Sequence, residues 1–263
     1  MTLLSLRADG PRATLTLQRP DVRNAFNPRL IAELSQAFHA LGLRDDIRCI
    51  VLAAEGPAFC AGADLHWMRG MADYARDENL ADAHQLAAML RTLHECPVPT
   101  IARVQGDAFA GGVGLAAACD IAVGLRGARF CLSEVRLGLV PATIAPYVVR
   151  AMGARAAHRW FLTAEPFDAA EAHRIGLLHA VEDDAAALDT RIDAIAAALC
   201  AGGPHAVRAC KQLVQEVAGR AIDDGLVGRT VEAIADIRAS DEGREGVQAF
   251  LQKRRPGWLP AQD

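Results

Sequence analysis

At 263 residues the chain is long enough to bury a large core, and its length suits one domain of moderate size with a helical appendage. Its charge balance, 28 Lys and Arg against 32 Asp and Glu, excludes a basic footprint for nucleic acid; the only tight basic cluster is Lys253-Arg254-Arg255. Seven cysteines without a CxxC pair, no basic-then-apolar leader and no apolar run near the ~20 residues that span a bilayer predict a soluble, untargeted cytoplasmic protein with reduced core cysteines.

In chain order, Ala13-Thr14-Leu15-Thr16-Leu17 alternates with the period of a half-buried strand and stops at Gln18-Arg19-Pro20. Asn27-Pro28 predicts a helix start, with Asn as N-cap and Leu30, Ile31, Leu34, Phe38 and Leu41 on one face. Cys49 to Ala53 is a continuous apolar strand suited to a sheet covered on both sides. Phe59 to Leu65, after the Gly56-Pro57 breaker, holds too many small residues for a packing element, so its backbone must lie close to something. Leu80, Ala83, Ala87, Leu90 and Leu93 keep helical spacing until Pro97 and Pro99. An apolar strand from Thr100 to Val104 then leads through small residues into a short apolar helix from Gly112 to Cys119. Beyond Pro141 the pattern is almost wholly helical, roughly over 143–152, 154–163, 168–175, 185–200, 204–218, 222–239 and 241–252, with Asp168 and Glu171 set as a capping box. The expected division is a core domain over 1–195 and a C-terminal helical region over 196–263.

The chemistry concentrates between Val98 and Val140. Glycine backbone at a helix start leaves amides free, and the helix dipole adds partial positive charge, so Gly111 and Gly112 form a natural holder for a developing negative oxygen. Fourteen residues after Asp120, Glu134 is the one carboxylate in the apolar segment Phe130 to Val135. An anion hole and a lone acid suggest acyl chemistry. No HExxH, GxSxG, P-loop or clustered His/Cys set is present, so zinc hydrolysis, serine-hydrolase and nucleotide-triphosphate chemistry lack their residues and no metal is expected. Gly112-Val113-Gly114-Leu115-Ala116-Ala117 matches GxGxxA, yet its first glycine lies well past the strand and the helix is too short for a parallel crossover.

The motifs Ala61-Gly62-Ala63-Asp64-Leu65, Gly106 with Ala110-Gly111-Gly112, Cys119-Asp120-Ile121, and Ala128-Arg129-Phe130 through Glu134 to Leu137-Gly138-Leu139-Val140-Pro141 together resemble the crotonase (enoyl-CoA hydratase/isomerase) superfamily. The resemblance runs from Arg23-Asn24-Ala25-Phe26 to Phe250-Leu251-Gln252-Lys253-Arg254-Arg255-Pro256. More narrowly, Gly62 to Met68 with Phe130 to Arg136 is similar to bacterial 3-methylglutaconyl-CoA hydratases of leucine degradation and isohexenylglutaconyl-CoA hydratases of terpene degradation. The resemblance implies an α/β fold, a ClpP-like spiral of β-β-α turns, with a C-terminal region that builds trimers pairing into hexamers. It implies an oxyanion hole from the amides of Ala63 and Gly111 around the thioester oxygen, with coenzyme A entering as part of the substrate and no separate cofactor. Acyl-CoA contacts are implied at Arg23, Ala25, Ala61, Ala63, Asp64, Leu65, His66, Gly111, Gly114, Phe250 and Lys253.

The chain also departs from that pattern. Two-carboxylate hydratases carry one Glu three residues after the oxyanion-hole glycine, where this chain has Gly114; Glu134 stands at the second place. One carboxylate taking and returning a proton through the same water would suffice for hydration, and one carboxylate also suits a Δ3,Δ2-enoyl-CoA isomerase. A non-catalytic acyl-CoA binder is the third reading. Pro141 stands where dehalogenating relatives carry a nucleophilic Asp, which argues against dehalogenation. Asp64 and Asp120 read as structural caps, and His66 and Arg69 either as solvated residues or as contacts to a distal carboxylate. An ion-pair reading of Glu134 and a packing reading of Gly111 and Gly112 stand beside these. Val at position 111 is expected to displace the amide donor while sparing the fold.

Overall fold

A turn at Gly10, φ 54°, folds Leu4–Asp9 (β1) back antiparallel on Arg12–Leu17 (β2), whose every second side chain is buried as its alternation predicts. The structure, a computed structural model, describes residues 3–259. Cys49–Ala54 (β3) lies parallel to β2 with all six residues buried, followed across the sheet by Thr100–Val104 (β5), Ile121–Leu125 (β7) and Ala180–Glu182 (β10). After β3, β5 and β7 the chain lays a short strand into a second sheet: Ala58–Cys60 (β4), Asp107–Phe109 (β6) and Arg129–Cys131 (β8), with Phe167–Asp168 (β9) antiparallel at the end. Each turn thus contributes one strand to each sheet before the chain leaves through a helix or loop, the β-β-α spiral expected.

The helices close the layers. Pro28–Gly42 (α1) starts where Asn27 accepts the Leu30 amide at 2.8 Å, and its predicted apolar face is fully buried. Leu65–Met71 (α2) follows β4, and Arg76–His94 (α3) packs on α1. Gly111–Ala118 (α4) is apolar on all sides and almost wholly buried. Ala145–Thr163 (α5) joins the two expected helices across a kink at Gly153, φ 75°, ψ 155°. In Ala169–Arg174 (α6) Asp168 accepts the Glu171 amide at 2.8 Å, but the Glu171 side chain pairs with Arg174, so only half of the expected capping box forms. Ala185–Ala201 (α7) follows.

A further difference lies in the small-residue runs. The small-residue runs before α2 and α4 contain the strands β4 and β6, and Phe59 is fully buried, although three residues are too few to show a period. Glu134 opens a 3-10 turn over Glu134–Leu137, closed by Gly138 at φ 70°, just after β8 ends at Cys131. One compact unit ends at Ala194 and a second begins at Ile195. In the second, Pro204–Val217 (α8), Asp224–Ala239 (α9) and Asp241–Leu251 (α10) pack on one another, with Glu242 accepting the amides of His205 and Ala206 at 3.0 and 2.8 Å. Among the described residues no helix is long and apolar enough to cross a membrane.

Candidate active site

The site grows from three segments that the spiral stacks side by side. Along Arg23 to Phe26 the chain runs through two residues at positive φ, Arg23 at 53° and Asn24 at 54°. The buried Asn24 side chain holds this bend by donating to the Glu55 and Ala58 carbonyls at 2.8 and 2.9 Å and accepting the Arg19 amide at 2.9 Å. The bend then clamps the second segment, because Ala61 N donates to Arg23 O at 3.0 Å, Phe26 N to Gly62 O at 2.6 Å and Asp64 N to Phe26 O at 2.8 Å. Amides alternate in direction along an extended chain, so with Asp64 N turned toward Phe26 the Ala63 N–H faces the other way. Among the described residues no backbone or side-chain acceptor takes the Ala63 amide.

Asp64 anchors this loop from its far end. One carboxylate oxygen accepts the His66 amide at 2.8 Å and caps α2, and the other takes Arg19 Nη2 at 2.7 Å; Arg19 also donates to Ala25 O. Burial pushes the Asp64 carboxyl up, but Arg19 and the amides of His66 and Trp67 outweigh burial and hold it below its ordinary value. The structural reading of Asp64 therefore fits its geometry. Leu65, His66 and Arg69 stand exposed on α2 beside it.

The third segment is the start of α4. Ala110 is held at φ 49°, ψ −117°, a conformation rare for a residue with a side chain, by its amide donating to Cys131 O at 2.8 Å. Its carbonyl accepts Val113 and Gly114, so the helix ladder begins there and the Gly111 amide lies ahead of it without an intrahelical acceptor. Gly62, at φ 88°, lets the two loops touch: a Cβ there would fall 2.9 Å from Ala110 Cβ and 3.5 Å from Gly111 N. Gly111 in turn faces the Phe26 ring, and a Cβ at 111 would lie 2.7 Å from Phe26 Cε2. Val at 111 cannot be accommodated without moving that ring, so it would cost more stability than the helix-start propensity alone.

Glu134 follows three residues after Cys131, whose strand pairs with β6, so the turn that carries the acid is rooted beside the loop that carries Gly111. Its Oε2 is buried with no hydrogen-bond partner. Burial raises the Glu134 pKa above its ordinary value, and its own backbone amide lowers it by less. An unpaired buried acceptor costs about 1–3 kcal/mol, and such costs persist where a ligand or reaction uses the group. No ion-pair partner of Glu134 is present among the described residues, which leaves the structural reading of this acid without support.

Gly114 has no free space beside it for a second acid. A Cβ at 114 falls 2.1 Å from Ile144 Cγ2, so Ile144 fills the space beside it. The structure thus gathers Arg23, Ala25, Ala61, Ala63, Asp64, Leu65, His66 and Gly111 into contiguous segments, with Glu134 rooted next to them, while Phe250 and Lys253 belong to the second unit. Sequence reasoning passed over Asn24, Phe26 and Ile144, whose parts depend on contacts 30 or more residues away. A cavity of about 920 Å³ between Met152, Arg155, Trp160 and Arg174 contains none of these residues.

Over residues 12–260 the chain matches the family described as Enoyl-CoA hydratase/isomerase. It is 35% identical to Enoyl-CoA hydratase ACTT6 of Alternaria alternata across 90% of this chain and 77% of that one. Its structure superposes with TM-score 0.94 on an enoyl-CoA hydratase from Shewanella pealeana, 43% identical with 98% and 96% of the two chains covered. It superposes equally, TM-score 0.94, on AtuE of Pseudomonas aeruginosa, 34% identical with 98% and 100% covered.

Proposed function

Because the chain belongs to the enoyl-CoA hydratase/isomerase family, we propose that it hydrates the 2,3 double bond of a short or branched 2-enoyl-CoA, with substrates of the 3-methylglutaconyl type from leucine or terpene degradation. The observation that carries the reading is the buried, unpaired Glu134 carboxylate oxygen rooted beside two backbone amides that no acceptor among the described residues takes. The thioester oxygen accepts from the amides of Ala63 and Gly111. As ionised Glu134 takes a proton from water, the water oxygen bonds to C3 and the electron pair of the double bond moves through C2 onto the thioester oxygen. The enolate then collapses, and C2 takes the proton back from Glu134, so the net addition is one water. Each preorganised amide donor is worth about 3–4 kcal/mol to such an oxyanion.

Gly114 favours a second reading, a Δ3,Δ2-enoyl-CoA isomerase, since moving one proton between C2 and C4 needs one carboxylate only. Phe250 and Lys253 are assigned to the CoA moiety, and the second unit to assembly of trimers or paired trimers in the cytoplasm. The test follows the conjugated enoyl-thioester absorbance with crotonyl-CoA, 3-methylglutaconyl-CoA and a 3-enoyl-CoA. Hydration bleaches the first two, with selectivity for the second expected. Gain of absorbance from the third alone establishes the isomerase, and no change with any of them sinks the enzyme reading.

A further inference from the structure

Position 114 lies one helical turn beyond Gly111, so a side chain there would share the face that carries the Gly111 amide. That face is the natural place for a second acid/base group on α4, and it is closed. An ideal Cβ at 114 falls 2.1 Å from Ile144 Cγ2, 2.5 Å from Ile144 Cβ and 3.6 Å from its Cα. The conflict lies with the branch point of the side chain, not with a free end that could swing aside. Ile144 is buried at the N-cap of α5, and its carbonyl accepts the amides of Tyr147 and Val148 at 3.1 Å each, so its backbone is pinned as well. Both α4 and the 3-10 turn of Glu134 pack on α5.

From this geometry we infer that Ile144 is the specificity-determining residue that holds the site to one carboxylate. It occupies the volume that a second acid on α4 would need, and leaves Glu134 to take the proton from water and return it to C2 alone. The inference rests on the acid/base role proposed for Glu134. A glutamate at 114 is then not something that one substitution can introduce.

The test begins with a thermodynamic cycle on the full chain, read as melting temperature: Gly114→Ala, Ile144→Gly and the two combined. Ile144→Val would keep Cγ2 and Ile144→Ala would keep Cβ, whereas Ile144→Gly leaves only Cα at 3.6 Å, an ordinary contact. In the wild-type background Gly114→Ala is expected to lower Tm by about 3–10 °C through overpacking. In the Ile144→Gly background the sign reverses, because Ala is the better helix former once the clash is gone. A loss of equal size in both backgrounds, or none in the wild type, overturns the steric claim. Should Ile144→Gly not fold, Ile144→Ala replaces it, with a reduced loss expected and an undiminished one counting against. The second arm measures turnover against pH for Ile144→Gly/Gly114→Glu. A descending limb absent from the wild-type profile is expected from the added acid, and an unchanged profile overturns the specificity role. A wild type inactive on every thioester would sink the proposed function, while the melting cycle would still decide the steric claim.

Discussion

Glu134 stands in tension with the fold that holds it. Its carboxyl, raised by burial, keeps its proton in the folded chain to higher pH than in the unfolded chain, where the value is near 4.5. Its contribution to stability is therefore fully present below that unfolded value and is lost as pH rises through the folded one. Glu134→Gln keeps the shape and removes the ionisation. Scanning calorimetry across pH is expected to show the two proteins melting together at the acid end and the variant melting higher at neutral pH and above. Turnover runs the other way, rising with pH in the wild type as the base ionises and falling by ~100-fold or more in the variant at every pH. Wild-type turnover in Glu134→Gln would remove the residue from the mechanism, and a melting difference independent of pH would remove the raised pKa. The acid was legible in the sequence because a lone carboxylate in an apolar run is costly unless used. Ile144 was not, since its meaning lies in one contact with a glycine 30 residues away.

At the scale of elements, the loop that carries the Ala63 amide is held by the polar pair Arg19 and Asp64. Arg19 and Asp64 lie 2.7 Å apart with side chains only 14% and 12% exposed, and Asp64 directly follows the Ala63 amide. Breaking such a mostly buried pair costs about 1–3 kcal/mol. Because the folded pKa of Asp64 is depressed, its stabilisation is present above the unfolded value near 3.8 and is lost as pH falls through the folded one. Asp64→Asn is expected to lower Tm by roughly 3–10 °C at neutral pH, with the gap closing in acid. A gap of the same size at every pH would show that the charge of Asp64 does not hold the loop. Helices such as α1 were legible from apolar spacing and the Asn27 cap. The strands β4, β6 and β8 were not, because three residues in a second sheet show neither period nor length, and their pairing is set by partners on other turns. The glycines announced close backbone approach; which neighbour they approach is a property of the spiral.

Across the molecule, the spiral of β-β-α turns was legible only through the family resemblance, and the observed strand orders realise it. The second unit poses the remaining physical question. Its helices leave large apolar side chains in water, among them Val214 on α8, Val227, Val231 and Ile234 on α9, and Val247 and Phe250 on α10. Positions 227, 231 and 234 fall on one face of α9, so this is a stripe and not scattered exposure. Exposed apolar stripes of this kind mark association surfaces, and burying one Val or Ile side chain is worth about 1.5–3 kcal/mol. The proposed trimer supplies the burial. Sedimentation of the wild-type chain is expected to give three or six times the monomer mass. Val231→Glu/Ile234→Glu places two charges in the stripe, whose desolvation in an apolar interface is prohibitive without partners, so a smaller species is expected with the far-UV spectrum of the folded chain retained. A monomeric wild type at micromolar concentration would refute the assembly, and a double variant that still sediments as the wild type does would show that the α9 stripe is not its interface.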